Sequence, residues 1–146
     1  MKKIFMLCLV TLSLFADFSR DSSGIVTDKI TKLEWQDNEV SAIMNWKSAI
    51  NYCESLTLGK HSDWRLPNIN ELNSIIDDTK SSPAVDTVVF HNVIANYYWS
   101  STTMMYNPKY DNPVYALYID FDNAVDGAYD KSYGNGHYAR CVRLGR

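Results

Sequence analysis

The chain has 146 residues, room for one domain. Hydrophobic residues make up 46% and charged residues 21%, which excludes a disordered, highly charged chain. The 14 Lys and Arg against 17 Asp and Glu leave a net charge of −3, which argues against a nucleic-acid partner, because affinity for a phosphate backbone comes from clustered cations. The unusual feature is an aromatic content of 13%, with 10 Tyr and 4 Trp.

The N-terminus reads as a signal peptide rather than as part of the fold. Met1-Lys2-Lys3 supplies positive charge, Ile4 to Phe15 is apolar, and Ala16 precedes the polar Asp17-Phe18-Ser19-Arg20. The apolar run of 12 residues is too short for a membrane span, which needs about 20. Leu14 stands where a small residue is usual before the cleavage site, and Cys8 lies inside the apolar run, an unsuitable place for lipid attachment. Cleavage after Ala16 leaves residues 17–146 as a single domain of 130 residues. Its charge is 12 cations against 17 acids, or −5, and its only cysteines are Cys53 and Cys141. Two cysteines in an exported chain point to one disulfide, with two separately buried thiols as the alternative. The expected localisation is periplasmic, secreted or cell-surface.

In chain order, Ile25-Val26-Thr27-Asp28 and Leu33-Glu34-Trp35-Gln36 are short alternating runs about a turn-like segment, and predict a hairpin or two edge strands. Trp46, Ala49, Ile50, Cys53 and Leu56 recur at helical spacing, with Asn45 as cap and Gly59 as terminator. This puts Cys53 on the buried face. After Trp64-Arg65-Leu66-Pro67, Asn68 and Glu71 have the spacing of a capping box for a second helix. Its apolar face is Ile69, Leu72, Ile75 and Ile76, and it is expected to stop near Asp77-Asp78, whose charge is unfavourable at a helix C-terminus. Residues 81–96 read as irregular, Tyr97 to Ser101 as a strand, and the nearly continuous apolar run Val114 to Phe121 as a central strand buried on both faces. Tyr138 to Leu144 alternates, with Ala139 and Cys141 on one face and Arg140 on the other. Helices early and strands late predict an α+β fold with an antiparallel sheet.

Several of these segments also carry a resemblance. Ile25-Val26-Thr27-Asp28, Leu33-Glu34-Trp35-Gln36, Trp46 with Ala49 and Tyr52-Cys53, Ser62-Asp63-Trp64-Arg65-Leu66-Pro67-Asn68 with Glu71-Leu72, Tyr98-Trp99-Ser100-Ser101-Thr102, and Arg140-Cys141-Val142-Arg143 occur in that order. Together they resemble the bacterial Lcl C-terminal domain family over about residues 24–144. The resemblance implies a C-type lectin-like fold: two helices flank a twisted antiparallel sheet, the terminal strands pair, and a cysteine on the first helix bonds one on the last strand. It further implies a surface or envelope binding role without established catalysis, and a lectin-like fold alone does not prove sugar binding.

Sites are less defined. Trp35, Trp46, Trp64 and Trp99 could stack on sugars, but aromatics mostly carry core area. Arg65 suits an internal ion pair with Asp63 or Glu71. Ser100, Ser101 and Thr102 lack a nucleophile-elbow context and fit strand-end hydrogen bonding. His61, His91 and His137 have no ligand spacing, and no cofactor is expected. Asp122 and Asp126 are weak calcium candidates, because the surrounding loop lacks the Gly and terminal Glu that a calcium loop needs. The segments 104–113 and 122–137 have the Tyr, Asn, Ser and Gly composition of binding loops, which makes Tyr106, Tyr110, Asn112, Tyr129 and Tyr133 weak ligand-binding candidates. The expected function is therefore a non-catalytic adhesion-type module for a glycan, or for an envelope or host surface protein. The alternatives are a structural envelope protein and an enzyme on a core like that of the formylglycine-generating oxidases, which need reactive cysteines.

Overall fold

A computed structural model describes residues 17–104, 114–132 and 136–146. The fold is α+β, with two helices and two antiparallel sheets where the sequence pattern suggests one. The larger sheet has the order β1-β2-β3-β7, built from Phe18–Arg20, Ile25–Asp28, Leu33–Gln36 and Val142–Leu144. The predicted hairpin is β2–β3, and Val26 opposes Trp35. Its turn forms because the Asp28 carboxylate accepts from the backbone N–H of Ile30 at 2.8 Å and of Thr31 at 3.2 Å, an Asx-type turn. The last strand, β7, pairs with β3 and places Glu34 opposite Arg143; the first strand, β1, lies at the other edge of the sheet, which corrects the expectation that the terminal strands pair. Strand β1 has no signature in the sequence, since three residues are too few to show a period. It is anchored by Phe18, whose ring packs edge-on against Phe90 at 5.3 Å.

Helix α1 spans Trp46–Glu54 and buries Ala49 and Cys53, with Asn45 Oδ1 accepting from the Ser48 N–H as expected. It stops at Ser55 rather than at Gly59. Gly59, at φ +61°, serves instead a tight turn in which Leu58 and His61 exchange backbone hydrogen bonds of 3.0 Å. Helix α2, Ile69–Asn73, is shorter than predicted, although its Asn68–Glu71 capping box is complete. The chain leaves it at Ser74 so that Ile76 can bridge Val85 and Asp77 N–H can donate to the Ala84 carbonyl at 2.9 Å. Tertiary pairing thus overrides the apolar period that continues to Ile76. Residues 81–96 contain no helix or strand, as predicted.

The second sheet has the order β4-β5-β6, from Tyr97–Thr103, Tyr115–Asp120 and Val125–Asp130. Strand β5 is central, but only Ala116, Ile119 and Asp120 on it are buried; Leu117 and Tyr118 are half-covered, which corrects the expectation of burial on both faces. Strand β6 falls inside the segment whose composition reads as a loop. Ala124, at φ +62°, closes the β5–β6 turn, where its N–H donates to the Asp120 carbonyl at 2.9 Å. The Asp, Gly and Ala content of β6 hides the strand, and pairing with β5 forms it.

Residues 137–141 join the sheets. Tyr138 N–H donates to Tyr97, Trp99 N–H to Tyr138, and Gln36 N–H to Cys141, each at 2.9 Å. Two apolar clusters flank this seam. One holds Trp35, Leu72, Phe90, Tyr98 and Phe121; the other holds Ala49, Trp64, Leu66, Trp99 and Ala139 around the Cys53–Cys141 disulfide. That bridge joins α1 to the segment before β7 across 88 residues, worth about 4–5 kcal/mol of chain entropy. Trp35, Trp64 and Trp99 are buried, and Trp46 is half-buried with its indole N–H donating to Ser100 O at 2.8 Å.

Arg140 does not face solvent. It is 2% exposed, because residues 90–92 cover the face opposite Cys141. Its guanidinium donates to Gln36 O at 2.8 Å, to Asn92 O at 2.6 Å and to the fully buried Asp37 carboxylate at 2.8 Å. Asp37 also accepts from Arg20 and from the backbone N–H groups of His91 and Asn92. Neither Arg20 nor Asp37 stands out in the sequence.

Candidate binding face

The β4-β5-β6 sheet gathers aromatics on one face. In register, Trp99 opposes Tyr118 and Ala116 opposes Tyr129; Tyr97 lies two residues before Trp99 and so shares its side. The Tyr118 phenol lies across β6 at Gly127, where a Cβ would sit 2.4 Å from its hydroxyl oxygen, so a residue larger than glycine would displace the ring. Tyr97 and Tyr118 meet edge-to-face at 5.0 Å. Trp99 is the buried floor, its indole N–H donating to Met44 O at 2.8 Å. Tyr97 is 41% exposed, while Tyr118 and Tyr129 are partly buried.

Beneath these rings lies His137. Its imidazole is 4.2 Å from the Trp99 ring, 4.6 Å from both Tyr118 and Tyr129, and 5.2 Å from Tyr97, centre to centre. The residue is 4% exposed, and among the described residues neither ring nitrogen has a hydrogen-bond partner. Desolvation therefore disfavours the imidazolium and pulls the pKa down to about 4; the Gly136 backbone, near the ring but outside hydrogen-bond geometry, opposes this with a smaller contribution. Burial also raises the Tyr118 phenol, with smaller contributions from Tyr97 and the negative charges of Asp120 and Asp126. Spacing in the sequence gives no sign of this role for His137, because its four neighbours come from three strands and none is close to it in the chain.

The remaining candidate residues are dispersed. Tyr129 is on strand β6, not in a loop, while Tyr106, Tyr110, Asn112 and Tyr133 lie outside the described residues. Arg65 donates to both carboxylate oxygens of Glu71, at 2.7 and 2.6 Å, and this holds the Glu71 carboxyl below its usual range. Asp63 pairs instead with Arg143, which also meets Glu34. Ser100 Oγ donates to Leu117 O at 2.9 Å, and Thr102 Oγ1 accepts from Ile69 N–H at 3.0 Å, both structural bonds as expected. Asp122 accepts from Ser82 Oγ, and Asp126 is exposed on β6. Among the described residues no group of three or more His, Cys, Asp or Glu is disposed to hold a metal ion.

A polar cleft of about 320 Å³ lies elsewhere, lined by Lys60, His61, Ser62, Asp63, Arg143 and Arg146. The Arg143 charge there is already matched by Asp63 and Glu34, and the aromatic face is the more distinctive surface. Among the described residues no helix is long and apolar enough to cross a membrane. No curated protein matches the chain. The model of the Lcl C-terminal domain matches residues 24–143, nearly all of the chain beyond the apolar N-terminal run, and the chain belongs to the Lcl C-terminal domain family.

Proposed function

We propose that this protein is an exported, non-catalytic binding module that recognises a glycan or a protein surface through the aromatic face of β4-β5-β6. The observation that carries the reading is the gathering of Tyr97, Tyr118 and Tyr129 on one side of a sheet, with Tyr97 open to solvent. Tyrosine offers a large amphipathic contact at low entropic cost, and its ring face suits sugar C–H groups as well as apolar protein side chains. Export is argued from the charged start and short apolar run, and the Cys53–Cys141 bridge is consistent with an oxidising compartment. That bridge occupies both cysteines of the proposed mature chain, which disfavours a thiol-dependent oxidase. The α+β architecture, with two helices and antiparallel sheets, is compatible with a C-type lectin-like module.

The test is a glycan array probed with residues 17–146, with and without calcium, followed by pull-down from envelope extract. A specific ligand whose binding is lost in Tyr97→Ala and retained in Lys60→Ala supports this face. Binding that depends on Lys60 and Arg146 instead would move the site to the polar cleft.

A further inference from the structure

The aromatic face stands on a buried group that its surroundings leave unsatisfied. His137 is 4% exposed and has neither nitrogen hydrogen-bonded, although a neutral imidazole carries one donor and one acceptor. Buried polar groups are nearly always partnered, and exceptions in a native fold mark a strained or functional position. The backbone of the same residue is a joint. His137 N–H donates to Met44 O at 3.2 Å and Met44 N–H donates to His137 O at 3.1 Å. Met44 O also receives the Trp99 indole, and the next residue, Tyr138, is stitched to β4 through Tyr97 and Trp99. Gly136 leaves no slack, since a Cβ there would lie 2.3 Å from Met44 O and 3.0 Å from Trp99 Nε1. Four rings from β4, β5 and β6 enclose the imidazole, so it reaches water only if those rings or the backbone joint that carries it move.

From this geometry we propose that His137 is an acid-sensitive latch: protonating its imidazole opens the joint to Met44 and β4 and loosens the aromatic face. Among the described residues, the titratable groups facing the ring are the phenols of Tyr97 on β4, Tyr118 on β5 and Tyr129 on β6, and protonation in acid gives a phenol no charge. From the stretch before α1 the contacts with His137 are those of the Met44 backbone. The charged groups on or beside the same elements are Asp120, paired in register with Tyr97, Asp126 and Asp130 on β6, and Lys131, whose Nζ lies 4.5 Å from the Trp46 ring centre; none is bonded to the imidazole. Among the described residues no carboxylate is positioned to stabilise the imidazolium where it stands. The surrounding rings offer some cation–π attraction, but the ring planes are tilted by 40° to 63° to the imidazole, and burial outweighs this contribution. An imidazolium gains most by reaching water, which it does by opening the joint.

The consequence for ligand binding rests on the reading of this face as the binding face; the latch itself does not. It is tested on ligand-free residues 17–146 by following the imidazole resonances and amide protection factors from pH 8 to pH 4. The expected result is that His137 stays neutral through pH 6 and protonates below about pH 5. Protection at His137, Tyr138 and Trp99 then falls at least tenfold in step with it. His137→Phe, which keeps a planar ring without a titrating group, is expected to hold its protection over the same range. Protonation near pH 6.5, protonation with no loss of protection, or an equal loss in His137→Phe each overturns the latch. If the Phe variant does not fold, the coincidence of the two wild-type titrations decides. With a ligand from the array, release at pH 5 in the wild type only extends the latch to binding. Undiminished binding after His137 has protonated overturns the latch alone, and a working latch on a chain that binds nothing through this face overturns the binding reading alone.

Discussion

Two buried polar groups at the seam between the sheets have opposite surroundings. The Asp37 carboxylate is fully enclosed, yet Arg20, Arg140 and the N–H groups of His91 and Asn92 satisfy it from three separate stretches of chain. The His137 imidazole is nearly as enclosed, and four aromatic rings surround it without a single hydrogen bond. The low dielectric that strengthens every bond around Asp37 makes the unpartnered imidazole costly. The first region locks the four-stranded sheet to residues 91–92. The second leaves one polar group unsatisfied against the tyrosines of the three-stranded sheet. Stability and proposed recognition are thus placed on opposite sides of residues 137–141.

The largest effect is expected where the satisfied site is broken. Asp37→Ala strands two guanidiniums, one of them 2% exposed, and should cost about 3–5 kcal/mol, read as a shift in the urea midpoint. Arg140→Ala should cost a similar amount, and the double variant less than the two together, because the residues share one network. Additive losses would show that the bonds around Asp37 act independently.

Opening the disulfide comes next. Cys53→Ser with Cys141→Ser should lower stability by about 2–5 kcal/mol while keeping the fold, since the apolar cluster around the bridge remains. Peptide mapping without reductant should find the Cys53–Cys141 cross-link in the native protein.

The pH dependence should separate the two regions. The His137 pKa lies at about 4 in the fold, below its ordinary value near 6.5 in the unfolded chain. The unfolded state therefore binds the proton first. The stability contribution is complete above about pH 6.5 and is lost as pH falls towards 4, a change of up to ~3 kcal/mol. Asp63 and Glu71, held low by Arg143 and Arg65, also lose their contributions in acid, from the ordinary carboxylate range downward to their lowered values. A denaturation series between pH 7 and pH 4.5 thus reports mainly on His137, and His137→Phe should flatten it.

What can be read from the sequence and what cannot divide along the same line. Asn45, the Asn68–Glu71 box, the β2–β3 hairpin and the Arg65–Glu71 pair all depend on partners within a few residues, so spacing alone reveals them. The two-cysteine count and the family motifs add the one long-range contact that is foreseeable, Cys53–Cys141. Arg140 and Asp37 are 103 residues apart, and alternation along residues 138–144 places Arg140 on the face opposite Cys141 but cannot register what covers that face. Strand β6 is hidden by loop-like composition, and with it the fact that Tyr129 joins Tyr97 and Tyr118 on one surface. The cage around His137 is a consequence of that sheet, so it is out of reach until β6 is known.

The smallest effect on folding should come from the residue most exposed on the aromatic face. Tyr97→Ala removes a ring that is 41% exposed and meets Tyr118 edge-to-face and His137 at a tilt, so the melting temperature should move by the equivalent of about 1 kcal/mol or less. Trp99→Ala, two residues along the same strand face, empties a fully buried volume and removes the indole bond to Met44, at about 3–5 kcal/mol. The pair separates recognition from support. If the face binds as proposed, Tyr97→Ala should weaken binding by about 2 kcal/mol or more while the protein stays folded. Trp99→Ala should lose binding only in proportion to the fraction unfolded. Melting curves and affinities measured on the same samples settle which holds. Full affinity in Tyr97→Ala together with loss in a folded Trp99→Ala protein would place recognition below the sheet surface, in the space now filled by the indole and the imidazole of His137.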